Sequence, residues 1–169
     1  MRSELEERFG AFVREHADGL LRVAYLITGD HGHAEDVVQT ALLRTHDRWR
    51  RLGEPDHALA YARRVVVTTA AGRGRKRSNQ ELVDLPARAD QGADDGTERL
   101  VEREVMASAL RSLPRGMRAV LVLRYFADLS EADTAATLGC SVGNVRAQAA
   151  RGLARLRDHV TTLSPTGRS

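Results

Sequence analysis

Four polar side chains, Asn144, Gln148, Arg151 and Arg155, recur at helical spacing toward the C-terminal end of a 169-residue chain. Asn and Gln amides can bond an adenine edge in pairs, and Arg can read guanine or neutralise a phosphate. They lie in residues 128–157, DLSEADTAATLGCSVGNVRAQAARGLARLR. Val142, Val145, Ala149, Leu153, Leu156 and Val160 form an apolar stripe on another face of the same predicted helix. Ser141 is placed to cap that helix, and with Arg146 it joins the set expected to face nucleic acid. Ahead of it, Ser130 can cap a shorter helix and Asp133 falls in its first turn, where amide donors and the positive dipole favour a carboxylate. Gly139 then supplies the positive φ that ends it. Two helices, a tight turn and a polar face on the second are the layout of a helix-turn-helix DNA reader. At about 1.5 Å per residue the second helix spans about 28 Å, against a major groove about 12 Å wide, so its C-terminal half is expected to pack on protein.

The elements that must hold this pair are helical too. Aromatic content is 4% and no strand-like alternation with hairpin turns occurs, so the chain reads as all-α. A first helix is predicted over about residues 4–28, with Phe9, Phe12, Val13, Leu20, Val23, Ala24 and Ile27 inward, ended by Gly29 to Gly32. A second is predicted from about Ala34, with Val37, Val38, Ala41, Leu42, Thr45 and Trp49 at core spacing, until Gly53 and Pro55 break the pattern. A third starts near Asp56, carries Leu59, Ala62, Val65, Val66 and Thr69 on its apolar side, and ends in a basic GRGRKR run. Residues 78–96 are polar and acidic without periodicity and read as an exposed linker. Beyond it come an amphipathic helix near residues 98–112, Pro114 at a helix start, and an apolar helix over 117–126. Arg118 and Arg124 interrupt that apolar stretch and are counted with the DNA-facing cations.

Charge divides along the same lines. Residues 1–80 hold 14 Lys/Arg and 11 Asp/Glu, residues 81–104 hold 3 and 8, and residues 105–169 hold 9 and 4. Two basic bodies therefore flank an acidic connector, a distribution suited to nucleic acid. No apolar run is long enough to cross a bilayer, so no membrane insertion is expected. The opening MRSELEERFGAF lacks the apolar core and cleavage site of a secretory signal, and Cys140 has no internal partner for a disulfide. Both agree with a cytoplasmic location. His31, His33 and Glu35 sit at a loop-to-helix junction without a second ligand cluster, so neither metal nor cofactor is expected. Phosphate-binding glycine loops and recognisable hydrolase nucleophile motifs are absent, and the chain does not read as an enzyme.

Two blocks carry a resemblance. GDHGHAEDVVQTALLRTHDRW is similar to the polymerase-binding helix of bacterial sigma factors, and SLPRGMRAVLVLRYFADLSEADTAATLGCSVGNVRAQAARGLARLR resembles their promoter-reading domain. With its size and the VVV, GCS and LARLR segments, the chain resembles the extracytoplasmic-function group of the sigma-70 family, in a subgroup common in actinobacteria. That resemblance implies a sigma-2-like domain over residues 1–79, an acidic linker over 80–97, a sigma-4-like helix-turn-helix domain over 98–163 and a tail over 164–169. It implies that Asp36, Gln39, Leu43 and Arg44 dock on the RNA polymerase core enzyme. Trp49, Arg50, Arg51, Arg63, Arg64, Arg73, Arg75, Lys76 and Arg77, with Tyr61, would engage and open the minus-ten element of promoter DNA, aromatic rings stacking on bases. The second domain would read the minus-thirty-five element. An anti-sigma factor is a further partner that the resemblance admits. The chain departs from the family pattern at Thr68, where Asn is usual, and at Thr134, where an apolar residue is usual. Ala147, Ala149 and Ala150 likewise stand where Ser, Thr, Arg or Leu is frequent. The competing reading is a stand-alone helix-turn-helix regulator with an N-terminal dimerisation or sensing domain; a third is a protein that sequesters a partner. AEDVVQ followed by a basic third helix favours the sigma factor.

Overall fold

Backbone is described for residues 1–77 and 97–163, and side chains for residues 1–70 and 104–161, in a computed structural model. The described residues are all-α, with no strand among them. They fall into two compact units, Met1–Arg88 and Ala89–Ser169. The linker expected over 80–97 lies outside the described residues up to position 96, as does the tail over 164–169.

The first unit consists of α1 (Arg2–Thr28), α2 (His31–Leu52) and α3 (Pro55–Arg77), each packed against the other two. Its core is built from small and β-branched side chains: Ala24, Ala34, Val37, Ala41, Ala62 and Val66 are entirely inaccessible. Short side chains along all three helices let the axes approach closely, and Phe12, Leu20, Val23, Leu26 and Ile27 of α1 fill the remaining space. Thr45 is also fully buried, and its hydroxyl is satisfied by donating to the carbonyl of Ala41 at 2.7 Å. The corners follow from local chemistry. Gly29, at φ 72°, closes α1 with its N–H on the carbonyl of Tyr25. Asp30 then caps α2, its Oδ1 accepting from the N–H of His33 at 2.9 Å. This cap starts α2 at His31, earlier than the expected Ala34, and places Gly32 inside the helix. Gly53, at φ 71°, ends α2, and Pro55 opens α3, where its missing N–H costs nothing.

In the second unit α4 (Thr97–Arg111) leads through Pro114 to α5 (Arg115–Leu121), which widens into a π-helical turn over Val122–Phe126. The N–H of Ala127 reaches back to the carbonyl of Val122, and Asp128 takes φ 52°, a left-handed conformation that Asp tolerates better than most residues. α6 (Glu131–Leu138) and α7 (Val142–Leu163) complete the unit. Val120, Ala135 and Val145 form the small core between α5, α6 and α7, with Leu138, Cys140, Val142 and Ala149 packed around it. Leu153 and Val160, expected in the stripe, are 39% and 50% exposed. The reason is geometric. α7 approaches α5 so closely at Gly152 that a Cβ there would lie 2.9 Å from Cδ1 of Leu121, so the contact face is centred on Val145, Ala149, Gly152 and Leu156. Counting 100° per residue, Gly152 is about 20° from Val145, whereas Leu153 is about 80° away and Val160 about 60°.

Two substitutions of opposite sign test this packing. Gly152→Ala would gain about 1 kcal/mol of helix propensity but would overpack the buried Leu121 by about 1–3 kcal/mol, so a net loss near 1 kcal/mol is expected. Thr134 is fully buried and its hydroxyl has no hydrogen-bond partner among the described residues. Thr134→Val should therefore raise stability by about 1 kcal/mol. Urea unfolding midpoints of the two variants should move in opposite directions.

Candidate nucleic-acid interface

The helix-turn-helix is fixed by three end-groups. The Ser130 hydroxyl accepts from the N–H of Asp133 at 3.0 Å and starts α6. Gly139, at φ 68°, ends it with its N–H on the carbonyl of Ala135. The Ser141 hydroxyl then accepts from the N–H of Asn144 at 3.0 Å and starts α7. With Val145 buried against Val120 and Ala135, the orientation of α7 about its own axis is set.

That orientation sorts the expected DNA contacts. Asn144, Arg151 and Arg155 are exposed and form one row, about 100°, 120° and 80° from Val145 on the same side. Gln148 lies on that side but nearer the core, about 60° from Val145. It is half-buried, with its Nε2 3.7 Å from where a Gly116 Cβ would sit and its Oε1 enclosed without a hydrogen-bond partner among the described residues. The reading role expected of Gln148 would require its amide to leave this position beside α5. Arg146 is exposed on the opposite flank, about 100° from Val145, and its Nε donates to the Glu131 carboxylate at the start of α6.

Arg118 does not belong to the interface. It is buried, with Nε donating to the carbonyl of Leu110 at 2.9 Å and Nη2 to those of Arg111 and Leu113 at 3.1 Å each. The guanidinium thus closes the C-terminus of α4, whose last carbonyls have no helical partner. Burial, reinforced by Arg115 and Arg111, holds its pKa below the usual guanidinium value, and the three carbonyls offset that desolvation. Arg124 is half-buried, donates to the carbonyl of Leu129 and lies 5.9 Å from the Tyr125 ring centre, so it braces the turn into α6. A sequence pattern counts such arginines as surface charge. The signal that could have separated Arg118 is its place within an apolar run, five residues after Leu113.

In the first unit, Asp36, Gln39 and Leu43 fall within about 60° on the side of α2 away from buried Ala41, with Arg44 toward the margin. All four are exposed, and Leu43 is 67% exposed, unusual for so large an apolar side chain at the middle of a packed helix. Trp49, expected to stack on bases, is instead half-buried at 5.2 Å from both Phe9 and Phe12, edge-on to the first. The α1–α2 contact needs that ring as filler, because the rest of the core is small. Its edge borders a 380 Å³ cleft with Arg2, Leu5, Glu6, His46, Asp47 and Arg50. Tyr61 is half-buried with the Arg48 guanidinium 5.3 Å from its ring centre, a cation that the sequence reading passed over. Arg50 and Arg51 are exposed in the last turn of α2, where the helix dipole favours cations. Arg64 is exposed, Arg63 is half-buried, and the nearby Thr68 hydroxyl donates to the carbonyl of Arg64 at 2.8 Å. Arg73, Arg75, Lys76 and Arg77 lie on the last turns of α3, and their side chains are outside the described residues. No group of three or more possible metal ligands occurs among the described residues.

Comparison with known proteins adds an independent line. Residues 12–80 match the Sigma-70 region 2 family and residues 103–156 match Sigma-70, region 4. The chain is 38% identical over 154 residues to the RNA polymerase sigma-E factor of Streptomyces avermitilis, covering 90% of this chain and 84% of that protein. It is 30% identical over 158 residues to the ECF RNA polymerase sigma factor SigE of Mycolicibacterium smegmatis, covering 90% and 61%. In fold it is similar to CnrH, solved in complex with the cytosolic domain of CnrY, with a TM-score of 0.69, 23% identity and coverage of 94% and 91%.

The placements above separate structural from surface residues. Arg118→Met should cost about 2–3 kcal/mol by stranding the α4 carbonyls, and Trp49→Ala about the same by opening the α1–α2 core. Arg151→Ala and Leu43→Ala should each stay within about 0.5 kcal/mol. Denaturant titration followed by far-UV circular dichroism checks all four without nucleic acid present.

Proposed function

The chain belongs to the sigma-70 family of RNA polymerase sigma factors, in its extracytoplasmic-function group, and on that premise we propose how its two units divide the work. As a sigma factor it directs RNA polymerase to promoters and initiates transcription. The first unit docks on the core enzyme through the Asp36, Gln39 and Leu43 face of α2, with Arg44 at its edge. The observation that carries this is Leu43: an apolar side chain left 67% exposed between polar neighbours gains most if a partner covers it. A stand-alone regulator has no use for such a surface on the helix that also carries the basic last turn.

Arg50, Arg51, Arg64 and the basic end of α3 supply positive charge for the minus-ten element. Arg48 and Tyr61 join them as a cation and ring already paired. Trp49 contributes by holding α1 and α2 together. In the second unit α7 enters the major groove of the minus-thirty-five element with Asn144 leading the row, Arg155 lies further along over phosphate, and the N-terminus of α7 faces the phosphates. Domain limits of 1–79 and 98–163, an anti-sigma factor as regulator, and action in the cytoplasm, where polymerase and promoters are, complete this reading. Its role is that of an initiation subunit, not an enzyme. No described helix is long and apolar enough to cross a membrane.

Each unit holds one promoter element, and only polymerase fixes the distance between the two. A connector of this length gives little effective concentration across that span. The free chain should therefore bind promoter and scrambled duplexes alike, in the non-specific range of about 10⁻⁴ to 10⁻⁶ M at physiological salt, and become selective in the holoenzyme. Fluorescence anisotropy with and without core enzyme measures this; tight, selective binding by the free chain would favour the stand-alone regulator. Asp36→Arg with Gln39→Ala should abolish core association while leaving the melting temperature nearly unchanged. Undiminished core affinity in that variant would remove this face of α2 from the interface.

A further inference from the structure

The cross-helix pair of Glu131 and Arg146 stands apart from the row described above. Arg146 lies in the second turn of α7, in the half of the helix that enters a groove, yet about 160° around the axis from the mean direction of Asn144, Arg151 and Arg155. Its side chain is 70% exposed, so nothing in the core requires it. Its Nε nevertheless donates to Oε2 of Glu131, fifteen residues earlier and on the other helix of the motif. The carboxylate sits in the first turn of α6, beside the Ser130 cap, where the helix dipole favours a negative charge.

We infer that Glu131 is a positioning residue that turns Arg146 from a phosphate contact into a base-selective one. The inference rests on the reading of α7 as the promoter-recognition helix. An unrestrained arginine on a recognition helix has many rotamers and is drawn to the nearest phosphate, which adds affinity without sequence preference. Two consequences follow from tying its Nε to a carboxylate. The plane of the guanidinium is fixed, and its terminal Nη1 and Nη2 donors stay available for one acceptor pair, such as the O6 and N7 of a guanine. The charge of the side chain is also cancelled locally, so that it releases little counterion on binding. For its part, a lone carboxylate in the first turn of α6 would repel the backbone that this helix crosses, and pairing removes that repulsion. Exposed pairs of this kind add little to folding stability, so substitutions at either partner can be read for DNA selectivity without a folding effect.

The test uses holoenzyme assembled with the full chain and measures binding to a promoter library between about 50 and about 200 mM salt. Arg146→Ala should reduce discrimination about tenfold at one base pair of the minus-thirty-five element and leave the salt slope unchanged. Glu131→Gln should lose the same discrimination but steepen the salt slope by about one unit, because the released guanidinium finds a phosphate. The double variant should match Arg146→Ala alone, and all three should melt with the wild type. The inference is overturned if Arg146→Ala flattens the slope by about one unit, or if Glu131→Gln changes neither selectivity nor slope. Wild-type holoenzyme supplies the control. If it prefers the promoter and the variants discriminate as it does, only the pair fails; if it shows no preference, the promoter-reading assignment of α7 itself falls.

Discussion

A chain made of helices must satisfy the backbone groups at every helix end, because the first four N–H groups and the last four C=O groups of each helix have no partner inside it. In a sheet protein the ladder absorbs many such groups; here only side chains, turns and one buried cation can do so. Asp30, Ser130 and Ser141 accept the first-turn amides of α2, α6 and α7. Gly29 and Gly139 take left-handed conformations that return the last carbonyls of α1 and α6 to the chain. At the end of α4 neither device is present, and the Arg118 guanidinium collects three carbonyls at once. Helix directions, and with them every surface described above, follow from where these ends are closed.

The same residue type therefore does three different things in one unit. Arg118 is buried and closes a helix, Arg146 is exposed but held by a carboxylate, and Arg151 and Arg155 are exposed on the open row. Their electrostatic consequences differ accordingly. A cation committed to carbonyls contributes no attraction for phosphate, a paired one contributes direction more than charge, and an open one contributes charge that salt screens. The net charge of the unit overstates the cations available to nucleic acid.

In the first unit the corresponding division is between filler and surface. Small residues bring three helices close together, leaving room for a ring cluster in which Phe9 stacks on Phe12 and meets Trp49 edge to face, with Phe12 tilted against Trp49. The tight core is what permits an apolar side chain such as Leu43 to remain outside: the interior is complete without it. A rigid three-helix body can thus present a fixed outward face on α2 and a basic end beyond it.

Sequence by itself determined the helices, the order of the two units, and the turn chemistry of the helix-turn-helix, because caps, left-handed glycines and 3.6-residue periodicity act within a few residues of one another. Ser130, Gly139 and Ser141 needed no tertiary information to be placed, and the family likeness was legible in two contiguous blocks. Tertiary structure decided what each outward or inward side chain is for. Whether Arg118 meets carbonyls or phosphate depends on the end of α4 lying within reach of its guanidinium. Whether Leu153 or Gly152 faces the core depends on how near α5 comes to α7, and whether Arg146 is free depends on a glutamate one helix away. Such contacts join residues distant in sequence through distances of a few ångströms, and no periodicity or local propensity encodes those distances.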